Sequence, residues 1–230
     1  MTIGIIGAMD EEVELLKSNM TIEHEETVAS CTFYKGQLEG KDIVLTKSNI
    51  GKVNAGMATT ILHERYQPTH IINTGSAGGF AKELKVGDLV ISSEVRHHDV
   101  DVTAFNYEYG QVPDMPAFYE PSEELVQVAE KAAEELSDLH TVRGLIATGD
   151  SFMQEAERVE FVRGKFPQLQ AAEMEAAAIA QVSHHYGTPF VIIRSLSDIA
   201  GKESNVSFDQ YLETAGKNAA TLIQGMLRQL

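Results

Sequence analysis

One cysteine, Cys31, is all the chain holds. An intramolecular disulfide is therefore excluded and a reducing compartment fits, with Cys31 read as a small apolar residue. Basic residues are scarce: 18 Lys and Arg stand against 34 Asp and Glu, a formal net charge of −16. No Lys/Arg-rich segment stands out, which argues against nucleic acid or an anionic membrane as partner and leaves the acidity to serve solubility. No stretch approaches the ~18 apolar residues of a membrane span. The N-terminus lacks a basic segment followed by an apolar one, and Asp10, Glu11 and Glu12 come too early for a secretory signal. The expectation is a soluble, cytoplasmic protein. Internal repeats and low-complexity linkers are absent as well. What is present, 230 residues at 43% hydrophobic and 23% charged, fits one large domain spanning 1–230 rather than two small ones. A chain of this length buries roughly 70–75% of its unfolded surface and needs no staples.

Short apolar, β-branched runs alternate with longer helical patterns. Strands are expected at Ile3–Ile6, Ile43–Thr46, His70–Asn73, Leu89–Ser92, Arg143–Ala147 and Phe190–Ser195, with a hairpin-like pair at Val28–Gly36 and Gln37–Thr46. Helices are expected at Glu11–Ser18, Val53–Tyr66, Glu123–Leu136, Gln154–Lys165, Met174–Tyr186 and Phe208–Leu230, from 3.6-residue periodicity and end signals. Ser122 is a good N-cap, and Gly187 then Pro189 ends the Ala-rich helix. Strands interleaved with helices imply an α/β layered sheet. The longest irregular stretch, His97–Pro121, carries Val102, Phe105, Tyr107, Tyr109, Phe118 and Tyr119. So much apolar surface in a loop calls for a cover, and a partner subunit is a reasonable one.

Carboxylates inside apolar runs are the informative feature. Glu173 and Glu175 sit in Ala171–Ala178, and Asp198 falls just past the expected strand Phe190–Ser195. Isolated carboxylates are costly to bury and need partners or a task. The carboxyl rim of such a strand is where open α/β sheets bind ligands. Asp10-Glu11-Glu12 follows the first strand, and three acidic groups at element ends point to acid–base chemistry on a small molecule. Glu12 taken alone reads as a first-turn acid favoured by the helix dipole. Gly4–Met9 lacks the glycine spacing of a dinucleotide fingerprint, and its acidic sequel would repel a pyrophosphate. Gly75–Gly79 reads as a glycine-rich turn close to a ligand, while Ser48–Gly56 is equally an ordinary strand-to-helix turn. His97-His98-Asp99-Val100-Asp101 lacks a zinc pair's spacing and reads as a polar loop. His184-His185 suits a helix C-terminus. No nucleophile elbow is present.

Five segments in order are similar to one family: Gly4–Met9 with Glu11-Glu12, Asn73–Gly79, His98–Phe105, Glu173–Ala176 and Ser197-Asp198. Together they resemble the 5′-methylthioadenosine/S-adenosylhomocysteine nucleosidases, of the nucleoside phosphorylase/hydrolase superfamily, from Met1 to the last helix. The resemblance implies a one-domain, three-layer αβα sandwich with a twisted mixed sheet, usually dimeric. It implies hydrolysis of the N-ribosidic bond of 5′-thio-substituted adenosines, and of 5′-deoxyadenosine, to adenine and the free sugar. Neither cofactor nor metal is implied.

In that family's chemistry Asp198 matches the general acid that protonates adenine N7, a role that burial and a suitable hydrogen-bond network favour. Glu12 matches the residue that activates water, with Ser76 and Arg194 helping to hold it. Glu175 matches the residue that binds the ribose hydroxyls while the sugar becomes oxocarbenium-like. Phe152 would stack on adenine and the Met153 backbone would read its edge. Ala77, Gly78, Glu173 and Ser197 join the substrate-binding set, Ser197 orienting Asp198. Met9, Ile50, Met174 and Phe208 would form the apolar 5′-site. Val102 and Phe105 would reach in from the neighbouring subunit of a homodimer, with 97–121 at or near the interface.

A phosphorylase on the same fold is the nearest alternative. It needs cationic or amide clamps where this chain puts Asp10, Glu11 and Glu12. An AMP nucleosidase is disfavoured for the same reason, since no basic cluster awaits a 5′-phosphate. A non-catalytic adenosine sensor needs no acid and base, and turnover discriminates it.

Overall fold

The computed structural model of the chain describes residues 1–136, 138–202 and 204–230. Its first strand, β1 (Thr2–Gly7), is an apolar run buried on both faces, as a strand lying between two parallel neighbours must be. It leads into α1 (Asp10–Asn19). Two hairpins follow, β2 (Thr21–Val28), β3 (Cys31–Leu38) and β4 (Lys41–Lys47). Their two-residue turns, Ala29-Ser30 and Glu39-Gly40, all have positive φ, the geometry that matches strand twist. The expected strand Val28–Gly36 thus contains a turn. β2 escaped the pattern because its TIEHEETV sequence is a mostly exposed edge with no apolar alternation.

Next come α2 (Lys52–Tyr66), β5 (His70–Asn73), β6 (Ser76–Gly79), β7 (Leu89–His97), α3 (Glu123–Glu134), β8 (Thr141–Thr148), α4 (Ala156–Lys165), β9 (Leu169–Glu173), α5 (Ala176–Tyr186), β10 (Phe190–Ile199) and α6 (Ser204–Gln229). Gly75–Gly79 is therefore no simple turn: after Gly75 it forms β6, hydrogen-bonded between β10 and β9. β9 was missed because LQAAE has no β-branched residue. Asp198 lies inside β10, not past its end, because the strand runs four residues further than Ser195.

The sheet order is β2-β3-β4-β1-β5-β10-β6-β9-β8-β7, and β10 also pairs antiparallel with β7. One half is an open twisted sheet; the other closes into a ring through β10. Parallel and antiparallel neighbours are mixed, as expected. Against one face pack α1, α3 and α6, around Leu16, Val126, Ile223 and Leu227. Against the other pack α2 and α5, around Leu62 and Ile179. β10, buried at nearly every position, is the seam of both halves, so residues at its carboxyl end sit where open sheet meets ring. That is the switch point at which α/β sheets hold ligands. Among the described residues no helix is long and apolar enough to cross a membrane.

The 97–121 loop is covered largely by its own chain. Tyr119 is buried, Tyr109 donates its hydroxyl to His98 O at 2.9 Å, and the Phe118 ring lies under Arg96. Phe105 is different, with 74% of its surface exposed. His97 and His98 are buried rather than displayed by a polar loop, and burial pushes both imidazoles below the usual histidine range.

Candidate active site

The loop between β1 and α1 carries the first carboxylate. Glu12, in the opening turn of α1, folds back so that Oε2 accepts from Ala8 N at 2.8 Å and Met9 N at 3.1 Å. This is the reciprocal half of a capping box, so the ordinary helix-start role is real. Oε1 reaches across to β6 and accepts from Ser76 N at 2.9 Å and Ser76 Oγ at 3.0 Å. Four donors fix one carboxylate that is 2% exposed. Gly75 makes the approach possible: a Cβ there would sit 2.1 Å from Arg194 Nη1 and 2.8 Å from Glu12 Oε1.

β9 and α5 supply the next two. Glu173 ends β9 and caps α5, its Oε2 accepting from Glu175 N at 2.9 Å and Ala176 N at 2.8 Å. Thr148 Oγ1 and Arg194 Nη2 also donate to it. Its lone pairs are spent on the frame. Glu175 is the N-cap residue of α5, and its Oε1 accepts from Gly51 N at 2.9 Å. The balanced turn Ser48–Gly56 therefore does contribute to the site, through an amide. Lys52 N donates to Asp150 Oδ1 at 2.8 Å, Asp150 N to Asp99 Oδ2 at 3.0 Å, and Lys52 Nζ to Asp99 Oδ1 at 2.6 Å. This network braces the Gly51 amide from behind.

Asp198 is brought in by a register shift of β10 against β6, between Leu196 and Asp198. Such bulges re-aim side chains next to ligand sites. Ser197 Oγ donates to Asp198 Oδ1 at 2.9 Å. A Cβ on Gly78 would lie 3.1 Å from Asp198 Oδ2, so glycine gives the carboxyl its room. Glu12 is anchored at Ser76 and Asp198 approaches at Gly78. These two positions point the same way on one strand, roughly 6.5–7 Å apart.

Glu12, Glu173, Glu175 and Asp198 open onto one cavity of about 320 Å³, the size of a small-molecule site. Every residue expected in this chain's own site lines it except Arg194. Phe152 and Phe208 meet edge to face at 5.7 Å between ring centroids and form an aromatic lip. Ala8, Ser151, Ala172 and Asp209 also line the wall. Their only sequence signal is adjacency to residues already singled out. Val102 and Phe105 are not part of this chain's cavity wall.

Arg194 stands behind the cavity, fully buried, and donates through Nη2 to Asn73 Oδ1 at 2.6 Å and through Nη1 to Thr74 O at 3.3 Å. Besides its pairing with Glu173, it lies 3.8 Å from Glu175 Oε2. It supports the carboxylates from behind the cavity wall. One guanidinium thus serves a floor of two carboxyl groups, Glu173 and Glu175. Burial, then the Glu173 charge, and further on Glu12, push the Glu175 carboxyl up to about 8 against Arg194's opposing effect. A folded-state value above the ordinary 4.5 means that the group costs stability progressively as pH rises from about 4.5 toward about 8. Arg194→Met should accordingly destabilise the fold by about 3–5 kcal/mol, because it leaves buried carboxylates uncompensated. Urea unfolding measures this. The loss should be smaller in mildly acidic than in mildly alkaline buffer, and a loss independent of pH would contradict the charge argument.

Among the described residues no group of three or more His, Cys, Asp or Glu side chains is placed to hold a metal ion. No Lys, Arg or His is among the described residues lining the cavity, while Glu12, Glu173, Glu175, Asp198 and Asp209 are. Such a site favours a ligand that is neutral on entry and gains positive charge.

The sequence model of the phosphorylase superfamily matches residues 2–228. A 5′-methylthioadenosine/S-adenosylhomocysteine nucleosidase of Geobacillus sp. (strain WCH70) is 61% identical over 230 residues, 100% of this chain and 99% of that one. The crystal structure of such a nucleosidase from Colwellia psychrerythraea 34H, in complex with adenine, superposes with a TM-score of 0.98 at 54% identity, over 100% of this chain and 96% of the other. That from Neisseria meningitidis, in complex with methylthio-immucillin-A, gives 0.98 at 45% identity over 100% and 99%. On the strength of full-length identity and a shared fold, the chain belongs to the phosphorylase superfamily and, within it, to the 5′-methylthioadenosine/S-adenosylhomocysteine nucleosidases.

Proposed function

We propose that the chain hydrolyses the N-ribosidic bond of 5′-methylthioadenosine, S-adenosylhomocysteine and 5′-deoxyadenosine, releasing adenine and the free 5′-substituted sugar. The observation that carries this reading is the carboxyl-lined cavity, without a cation among the described residues, in which Glu12 is locked by four hydrogen bonds. As the C1′–N9 bond breaks, its electron pair goes to adenine and Asp198 delivers a proton to N7, so the base leaves neutral. The sugar becomes cationic above the Glu175–Glu173–Arg194 floor, which is short of positive charge and is relieved by that cation. Water adds to C1′ and gives its proton to Glu12. The two proton transfers restore the acid and base once exchanged with solvent.

Glu175 accepts from the ribose hydroxyls, which adds to its bond from Gly51 N. Phe152 and Phe208 flank the adenine and the 5′-group, and the Met153 backbone reads the base edge. Release of free adenine from methylthioadenosine checks the reading. Binding without turnover would make the protein an adenosine sensor.

The same reading makes the enzyme a cytoplasmic homodimer in which Val102 and Phe105 complete the partner's 5′-site. In support, Phe105 is 74% exposed and neither residue lines its own cavity. Mixed dimers test it. One chain carries Phe105→Ala and the other Asp198→Asn. They should keep about half the wild-type activity, because one of the two symmetric sites is complete. Placing both substitutions on one chain of the dimer should leave only an impaired site. Equal activities in the two arrangements would sink the exchange.

A further inference from the structure

Beyond Met9 and Ile50 the cavity adjoins a second hollow, of about 390 Å³, which the chemistry above leaves unused. Ala8, Met9 and Ile50 are walls of both. The outer hollow adds Asp10, Glu11, Lys47, Asn49 and Asn54. The surface therefore changes along one path, from carboxyl floor to apolar neck to a polar groove containing a cation. Lys47 Nζ donates to Asp10 Oδ1 at 2.8 Å and Oδ2 at 2.9 Å. The Asp10 side chain is 72% exposed and that of Lys47 25%, so the pair presents adjacent opposite charges to whatever enters. The amides nearby are held in place: Asn49 Nδ2 donates to Ser30 O at 2.9 Å and Asn54 Nδ2 to Ile50 O at 2.6 Å.

We propose that this groove is a subsite for the α-amino-acid end of a long 5′-substituent. The zwitterion docks antiparallel on the Asp10–Lys47 pair, its carboxylate on Lys47 and its ammonium on Asp10. The inference rests on the nucleosidase reading and deepens it. A homocysteinyl arm presents sulfur, then two methylenes, then a carbon bearing both charges. An apolar neck followed by paired opposite charges is complementary to that order of groups. A methylthio group ends at the neck and never reaches the pair. The groove is thus a specificity element for one substrate class, and the chemistry at C1′ is untouched by it.

Because the pair is open to solvent, its contribution is modest and falls with salt. Lys47→Met and Asp10→Asn should each raise KM for S-adenosylhomocysteine by roughly 2–5-fold, the upper part of the range set by exposed charge pairs. kcat for that substrate should hold. Methylthioadenosine and the uncharged S-butylthioadenosine should stay within about twofold on both parameters, since neither carries a charge to the groove. Raising ionic strength should erode the wild-type preference for the charged arm and leave the variants' ratio flat.

Unchanged KM for S-adenosylhomocysteine in both variants would overturn the proposal. So would an equal change for all three substrates, which would mean that the pair only positions α1 and Glu12. Failure of the wild-type protein to cleave methylthioadenosine would instead overturn the nucleosidase reading, independently of the groove.

Discussion

Asp198→Asn should slow adenine release by about 10²–10⁴-fold, the usual share of a positioned general acid, while nucleoside affinity changes only a few-fold. The side chain is 2% exposed, sits at the β10 bulge and accepts from Ser197 Oγ. Asparagine has nearly the same volume, so the room provided by Gly78 is filled as before. An amide can still hydrogen-bond to N7 but has no proton to give up, and adenine must then depart as an anion. Single-turnover rates and equilibrium binding on the same preparation separate the two effects. Undiminished turnover would remove Asp198 from the acid role. A parallel loss of binding would show that it acts by holding the base.

Glu12→Gln should be comparably slow, by about 10²–10⁴-fold, and should also cost stability. The four groups facing this carboxylate, Ala8 N, Met9 N, Ser76 N and Ser76 Oγ, all donate to it in the structure. Whichever way a glutamine amide is turned, its NH2 meets at least one backbone N–H. One buried donor then loses its partner, at about 1–3 kcal/mol. Denaturant unfolding should register that cost, and kcat on the folded enzyme should register the lost base. A variant that is destabilised yet turns over at the wild-type rate would reduce Glu12 to a brace between α1 and β6. Full stability with full loss of rate would mean that the amide finds acceptors the present geometry does not offer.

How much of this was legible in the sequence follows from which forces leave a local trace. β1, β5 and β10 are apolar runs because both of their faces are buried, and that pattern needs no tertiary information. β2 is an exposed polar edge, β6 is glycine-rich, and β9 is a short alanine-containing segment. Their pairing is set by neighbours far away in the chain, so nothing local marks them. Asp198 was visible as a carboxylate beside an apolar run, but a one-residue register shift against β6 has no sequence signature. Arg194 was visible as a cation inside a buried strand. That its partners would be Asn73, Glu173 and Glu175 was not.

The roles of Glu12, Glu175 and Asp198 came from family resemblance, because each spacing alone fits an ordinary helix start or strand end. The brace formed by Lys52, Asp99 and Asp150 joins residues nearly a hundred positions apart and could be seen only in three dimensions.

A cavity lined by carboxyl groups and, among the described residues, by no cation should use water, not phosphate, as its nucleophile. The most direct measurement is adenine release from methylthioadenosine in buffer free of phosphate, with the sugar product identified. Adenine together with free methylthioribose, at a rate unaffected by added phosphate, is the predicted result. A reaction that starts only when phosphate is supplied, and yields a sugar 1-phosphate, would contradict it.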